Sequence, residues 1–277
     1  MVMKAEEVIA EQANVENFSD IELLEAELSQ THVKVHDLPS RYLPYPPNST
    51  IWIKPYNFSE LEKIQSCNSN ETKILPTLIA LNKNNGIKLI GINSIEDLDF
   101  IDFMYINMLR KVISFDENSF NLEGFSCPYC KKDIEKVTLD CRAINFAEIE
   151  EEVKALPIGY TLSNGEEIEC STLTVGSALQ LNLSAQVESD LTRLSYKITN
   201  MNQKEAYDLL SEVSDGEDLI NLQLLNALTD FENNYVEIDC PDCKKKLNVR
   251  VPEVLNLAIP FRRKERPVGN QFRFGKN

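Results

Sequence analysis

Histidine is nearly absent: the 277 residues hold two, His32 and His36, four apart in a stretch near the N-terminus. A histidine-based catalytic triad, a histidine general base and a histidine zinc site are therefore hard to build. The chain also lacks a glycine-rich phosphate loop and a Gly-x-Ser-x-Gly elbow. No apolar run approaches the roughly 20 residues of a membrane span. The start, Met1-Val2-Met3-Lys4-Ala5-Glu6-Glu7, has no signal-peptide apolar stretch, so synthesis and residence in the cytosol are expected unless the chain joins an assembly. Positive charge is scarce, with 28 Lys and Arg against 44 Asp and Glu and a net charge of -16. Such a surface repels a phosphate backbone, so nucleic acid is an unexpected partner unless a local basic patch supplies the contact. No enzymatic activity and no small-molecule substrate are expected.

What is present is a repeated cysteine motif. Phe125-Ser126-Cys127-Pro128-Tyr129-Cys130-Lys131-Lys132 is matched by Ile238-Asp239-Cys240-Pro241-Asp242-Cys243-Lys244-Lys245. Two Cys-x-x-Cys turns supply four thiolates, the ligand set of a tetrahedral structural zinc site. Adjacent lysines and backbone amides offset the charge of four thiolates on one ion. Cys127, Cys130, Cys240 and Cys243 are thus the expected zinc ligands. A thioredoxin-like redox pair and ordinary reduced cysteines are the other readings, but a redox pair rarely occurs twice and no βαβ unit opens at either copy. Between Cys130 and Cys240 lie 109 residues. The pattern therefore speaks more strongly for metal at each pair than for one shared metal. Such a four-sulfur site is coordinatively closed and leaves no position for a reacting water. Cys67, Cys141 and Cys170 read as small apolar fillers in a reducing compartment.

The expected fold is α+β: a mixed α/β body with a helical insertion between two halves of a four-cysteine zinc ribbon. Residues 1–31 form an acidic arm, eight acids against Lys4. Ser19 and Glu22 resemble a capping box ahead of a helix whose Ile21, Leu24 and Leu28 could dock on a neighbour. Residues 32–126 form an α/β domain. Its proline-aromatic strip, His36 to Pro47, should run extended over a surface as a connector or, through Tyr45, as a recognition strip. Ile51–Pro55 and Ile87–Ile92 read as strands. Ser59 is expected to cap a helix through Leu61 and Ile64, and Leu75–Leu81 reads as helical. Ser94 is expected to cap a long helix from Ile95 to Ile113, with Leu98, Ile101, Tyr105, Met108, Leu109 and Val112 as its buried stripe and Asp97, Asp99 and Asp102 on a solvated side. Residues 127–143 and 234–252 are the ribbon halves. Residues 144–233 hold a helix near 146–156, a hairpin from Tyr160 to Ile168 with an Asn-Gly turn, and about three helices broken at Asp215-Gly216. Residues 253–277 reverse the charge, with six bases against two acids. There Arg262, Arg263, Phe272 and Phe274 suit docking on an acidic partner, another copy included. They also permit a zinc-ribbon nucleic-acid regulator as the alternative function.

The order of motifs resembles the baseplate hub assembly family of T-even-like contractile-tailed phages. The residues that carry the likeness are Leu38-Pro39-Ser40-Arg41 to Tyr45-Pro46, Ile51 to Pro55, Glu60-Leu61-Glu62, and Asp97 to Leu109-Arg110. Cys127-Pro128-Tyr129-Cys130, Leu156-Pro157-Ile158-Gly159 and the second cysteine pair follow. The likeness spans roughly residues 33–252. It implies a virion or assembly role at the tail baseplate, with other tail proteins as partners, assembly in the host cytoplasm, and no catalytic residues.

Overall fold

The structure is a computed structural model that describes residues 21–67, 71–115, 119–140, 144–145, 153, 155–183, 189–230 and 235–250. The Ser19 cap, Cys141, residues 146–152, and Arg262, Arg263, Phe272 and Phe274 of the tail lie outside the described residues; of the helix expected from Asn145 to Leu156, the described Asn145 is in a strand and Val153, Ala155 and Leu156 are not helical. Among the described residues the fold is α+β, built from small antiparallel sheets and helices. No described helix is long and apolar enough to cross a membrane.

Helix α1 covers residues 21–28. Strands β1 (Val33–Val35), β2 (Thr50–Ile53) and β3 (Ile87–Ile90) pair antiparallel with β2 in the middle. Ile51, Trp52 and Ile53 are all buried, as expected of a central strand covered on both faces. Helices α2 (Phe58–Cys67), α3 (Glu71–Leu81) and α4 (Phe100–Phe115) share a core with this sheet. Asn57, not Ser59, caps α2: its Oδ1 accepts from the Glu60 amide, and Glu60 Oε2 accepts from the Asn57 amide. Asparagine at N-cap with glutamate three on is a reciprocal capping box.

Helix α4 departs furthest from expectation. Its first turn starts at Phe100, after a 3-10 turn at Ile95–Asp97, and Asp99 caps it by accepting from the Asp102 amide. The buried surface is no narrow stripe. Phe103, Met104, Ile106 and Met108 are all buried, and so are Asp99, Asp102, Asn107 and Arg110. Asp99 and Asp102 therefore face the interior, not solvent. Their partners come from the proline-aromatic strip, which turns inward where an extended surface run was expected. Asp102 accepts from the Ser40 amide (3.0 Å), the Ser40 hydroxyl (2.5 Å) and the Tyr45 hydroxyl (2.7 Å). Tyr45 Oη also accepts from the Asp99 amide. Tyr45 is 8% exposed, so it is an internal strut and not a partner-binding residue.

Burial pushes the Asp102 carboxyl up to about 6 against the pull of the donors from Ser40 and Tyr45. Burial, reinforced by the neighbouring Asp102 charge, raises Asp99 well above the carboxylate range. A raised folded-state value means the native chain holds these protons more tightly than the unfolded one. For Asp102 the stabilisation is complete below about pH 4 and is lost as pH rises through about 6, and for Asp99 it is lost from about pH 4 upward. Asp99→Asn keeps the capping oxygen and removes one charge. Denaturant titrations of both proteins should show stability falling more steeply between pH 4.5 and 7 in the wild type than in the variant. The slope difference should be up to about 1.4 kcal/mol per pH unit. Parallel curves would mean that the pair is not strained by its burial. Taking the difference cancels the acid sensitivity of any thiolate–metal site.

After the first cysteine hairpin, β4 (Ser119–Ser126) with β5 (Asp133–Asp140), comes β6 (Ile144–Asn145) and then a tight hairpin, β7 (Ile158–Thr161) with β8 (Glu167–Cys170). Its loop holds five residues, not an Asn-Gly pair alone. Leu162 accepts from the Gly165 amide, Asn164 Oδ1 accepts from the Glu166 amide, and Gly165 takes the positive φ of 90°. Among the described residues four helices follow where about three are expected: α5 (Val175–Leu183), α6 (Asp190–Ser195), α7 (Gln203–Glu212) and α8 (Gly216–Leu228). Val175 and Ala178 of α5 join the main core. Helices α6, α7 and α8 close a second core with the hairpin through Leu162, Ile168, Leu194, Leu210, Leu222 and Leu225. Asp215 ends the break before α8 by capping it, accepting from the Glu217 and Asp218 amides. Strands β9 (Tyr235–Asp239) and β10 (Lys246–Arg250) return antiparallel, with β6 on the outer edge of β9.

Candidate metal centre

The two cysteine hairpins meet at their turns. Each knuckle is closed by the same pair of backbone bonds. Cys127 N–H donates to Lys132 O and Lys131 N–H to Cys127 O. Cys240 N–H donates to Lys245 O and Lys244 N–H to Cys240 O, each at 2.9 Å. The bonds curl each chain so that both thiols of a pair point to one side.

Across the knuckles, Cys127 Sγ lies 3.8 Å from Cys243 Sγ, and Cys130 Sγ lies 3.8 Å from Cys240 Sγ. All four sulfurs are within 4.8 Å of one another. A tetrahedron with metal–sulfur bonds of about 2.3 Å has edges of about 3.8 Å. One metal ion therefore fits between the two pairs, and the four sulfurs could hold it together. Cys127 and Cys240 are fully buried, while Cys130 and Cys243 are half-buried. Ile134, Val236, Ile238 and Leu247 form the apolar floor, continuous with the main core.

The electrostatics favour a cation. Burial works against the Cys127 thiolate, yet the Cys130 and Tyr129 amides and neighbouring thiols hold this thiol down to about 6. The Lys132 amide favours the Cys130 thiolate, but burial and the three other thiols push it up to about 11. Protons are thus shared unevenly among four crowded sulfurs, and a dication is the ordinary means of ionising them together.

Two contacts clasp the knuckles, and neither is legible in the motif itself. Lys132 pairs with Asp242 at 2.6 Å, and the Lys245 ammonium stands 4.6 Å from the centre of the Tyr129 ring. The contacts are reciprocal. Tyr129 and Asp242 fill the variable place in the two Cys-Pro-x-Cys motifs, and Lys132 and Lys245 fill the second place after each. Both are exposed, so their energy is small beside that of the sulfurs.

Lys131 and Lys244 sit at φ 60° and 59°. Glycine suits that left-handed region, and a side chain there costs roughly 1 kcal/mol. An exposed ammonium near the thiolates returns less than that in water. Lys131→Gly should therefore stabilise the protein by about 0.5–1 kcal/mol, and the double variant with Lys244→Gly by about twice as much. Chemical denaturation of the metal-loaded proteins checks this. A loss of stability would mean that the lysine charge outweighs the backbone strain.

The other expected site residues fare differently. Ile21 and Leu24 are exposed at 38% and 43%, whereas Leu28 is packed into its own chain and is no docking residue. Glu25 ties α1 to β1 through Lys34 at 2.7 Å. Cys170 is buried and Cys67 half-buried, both away from the centre, as fillers should be. No protein-family model matches the chain, and no curated protein and no solved structure matches it.

Proposed function

We propose that this chain is a non-enzymatic structural or assembly subunit of a contractile phage tail baseplate, in its hub region, held in shape by one structural zinc ion. The observation that carries the reading is where its motif residues go. Ser40 and Tyr45 of the first motif meet Asp102 of the helical one. Glu60 of another meets Arg110, the last residue of the helical motif, and the two cysteine pairs meet each other. Motifs scattered over 200 residues thus bind one another, which suits an inherited scaffold better than a chance succession of short matches. Four thiolates at tetrahedral spacing support zinc, the usual ion of closed structural four-cysteine sites. Work at the surface falls to apolar groups left uncovered: Ile21, Leu23 and Leu24 of α1, and Val33 on the strand to which α1 is tied. Exposed apolar clusters on a soluble chain mark places where a neighbour sits.

The test is mass spectrometry of purified virions and of isolated tail intermediates, together with elemental analysis of the pure chain. The chain should appear in at least one tail fraction and carry one zinc. Its absence from all of them would overturn the baseplate role. Two ions per chain, or none under reducing conditions, would overturn the shared zinc.

A further inference from the structure

Helix α8 is apolar around most of its circumference. Leu222 and Leu225 are buried in the second core, but Leu219 is 45% exposed, Leu224 55% and Ile220 67%. A helix of this kind inside a globular protein is normally covered on every side. Beside it runs an open groove of about 340 Å³ between α6, α7 and α8, with Leu191, Leu194, Leu210 and Leu219 on its walls and Asp190 and Gln223 among its polar groups. Its size and lining are those of a binding site.

Charge decides which occupant fits. Residues 190–230, which build the groove, carry eight acids and three bases. Asp190 lines the groove, and Glu205, Asp208, Glu212, Asp215 and Glu217 are exposed elsewhere on the same segment. The acidic arm of a second copy offers apolar groups, but its eight acids against one base would be repelled. The C-terminal segment is the complement: six bases and two acids over 253–277, interleaved with Phe261, Phe272 and Phe274.

Reach is not limiting. The 27 residues after Arg250 can extend up to about 90 Å, while a folded chain of this length has a radius of gyration of roughly 19 Å. Tethering adds an effective concentration in the millimolar range, so a weak contact suffices. We propose that the α6–α8 groove is the seat of the chain's own C-terminal segment, with phenylalanine side chains in the apolar cleft and arginines against the acidic rim.

Photo-crosslinking in the full chain tests this. With Phe272→p-benzoylphenylalanine, irradiation should give a product that migrates as a monomer, its link mapping to residues 190–226. Leu219→Arg places a like charge at the mouth of the groove, at a position exposed enough to leave folding intact, which circular dichroism checks. It should cut the yield at least fivefold, and raising salt from about 0.05 to 0.5 M should lower it as well. A dimer-sized product would give the groove to a second copy. That result, a link mapping elsewhere, or no product in folded protein would each overturn the proposal. None of these outcomes bears on the baseplate role or on the zinc.

Discussion

Cys240→Ser should take the bound metal from one ion per chain to less than about a tenth of that, and lower the thermal midpoint by about 10–15 °C. The centre closes a loop of 109 residues between Cys130 and Cys240, and restraining a loop of that length is worth on the order of 4–5 kcal/mol. For a chain of this size each kcal/mol moves the midpoint by about 2–4 °C. The replacement also leaves a hydroxyl where a fully buried thiol had been, a further cost of about 1–3 kcal/mol if it finds no partner. The damage should spread in a set order. Backbone amides of β4, β5, β9 and β10 should lose protection from hydrogen exchange first. The sheet of β1–β3 with α4 should keep it, because that core has its own buried contacts. Removing the metal from the wild type with a chelator should reproduce the pattern. Cys170→Ala, in the second core, should leave the metal content unchanged. A Cys240→Ser protein that still holds one tightly bound ion would refute the four-sulfur centre.

The cysteine centre was legible because its chemistry is local: two thiols three residues apart, twice, announce a ligand set wherever the chain later brings them. Strands β2 and β3, helix α3 and the Asp215 break were legible for a similar reason, since β-branched runs and caps act over a few residues. The buried acids of α4 were not. A carboxylate in a helix is usually solvated, and what overturns that rule is Ser40 and Tyr45, some 60 residues earlier. Their own segment conceals its course for the complementary reason. Its prolines exclude helix but do not say whether the strip lies on the surface or folds inward, and positive φ at Arg41, Tyr42 and Asn48 makes it a series of turns. The expected start of α4 lies too early because Ser94 is a good cap in isolation. The chain instead bridges at Asp99 with Thr174 and uses the Asp99 carboxylate four residues past the expected start. Lysines at the left-handed positions of both knuckles hid there because the pattern leads one to look for glycine.

Arg110→Met should cost about 3–5 kcal/mol, a fall in midpoint of roughly 10 °C, although the new side chain fills much of the same space. Arg110 is 0% exposed and spends its fork on three elements. Nε donates to Lys54 O after β2 (2.9 Å), Nη1 to Asn82 Oδ1 after α3 (2.6 Å), and Nη2 to the Glu60 carboxylate on α2 (3.3 Å). The guanidinium also lies 3.9 Å from the centre of the Tyr56 ring. Asn82 and the Tyr56 hydroxyl both donate onward to Asn107 Oδ1, so the network is closed at its far end. Even the neighbouring backbone is shaped to it, since a Cβ on Gly86 would come within 2.4 Å of Nη1. Removing the arginine leaves Glu60 charged, nearly buried and unopposed, and that is the source of the loss. Glu60→Gln in the Arg110→Met background should therefore recover at least ~2 kcal/mol, because the amide oxygen can still cap α2 while the stranded charge is gone. Arg110→Lys should rescue little, since one ammonium cannot meet three acceptors set out for a planar fork. If Arg110→Met costs less than about 1 kcal/mol, or if Glu60→Gln adds to the damage, the pair does not hold α2 and α4 in register. Otherwise the buried arginine earns its place by fixing one arrangement of four elements, for which an apolar side chain of equal volume has no means.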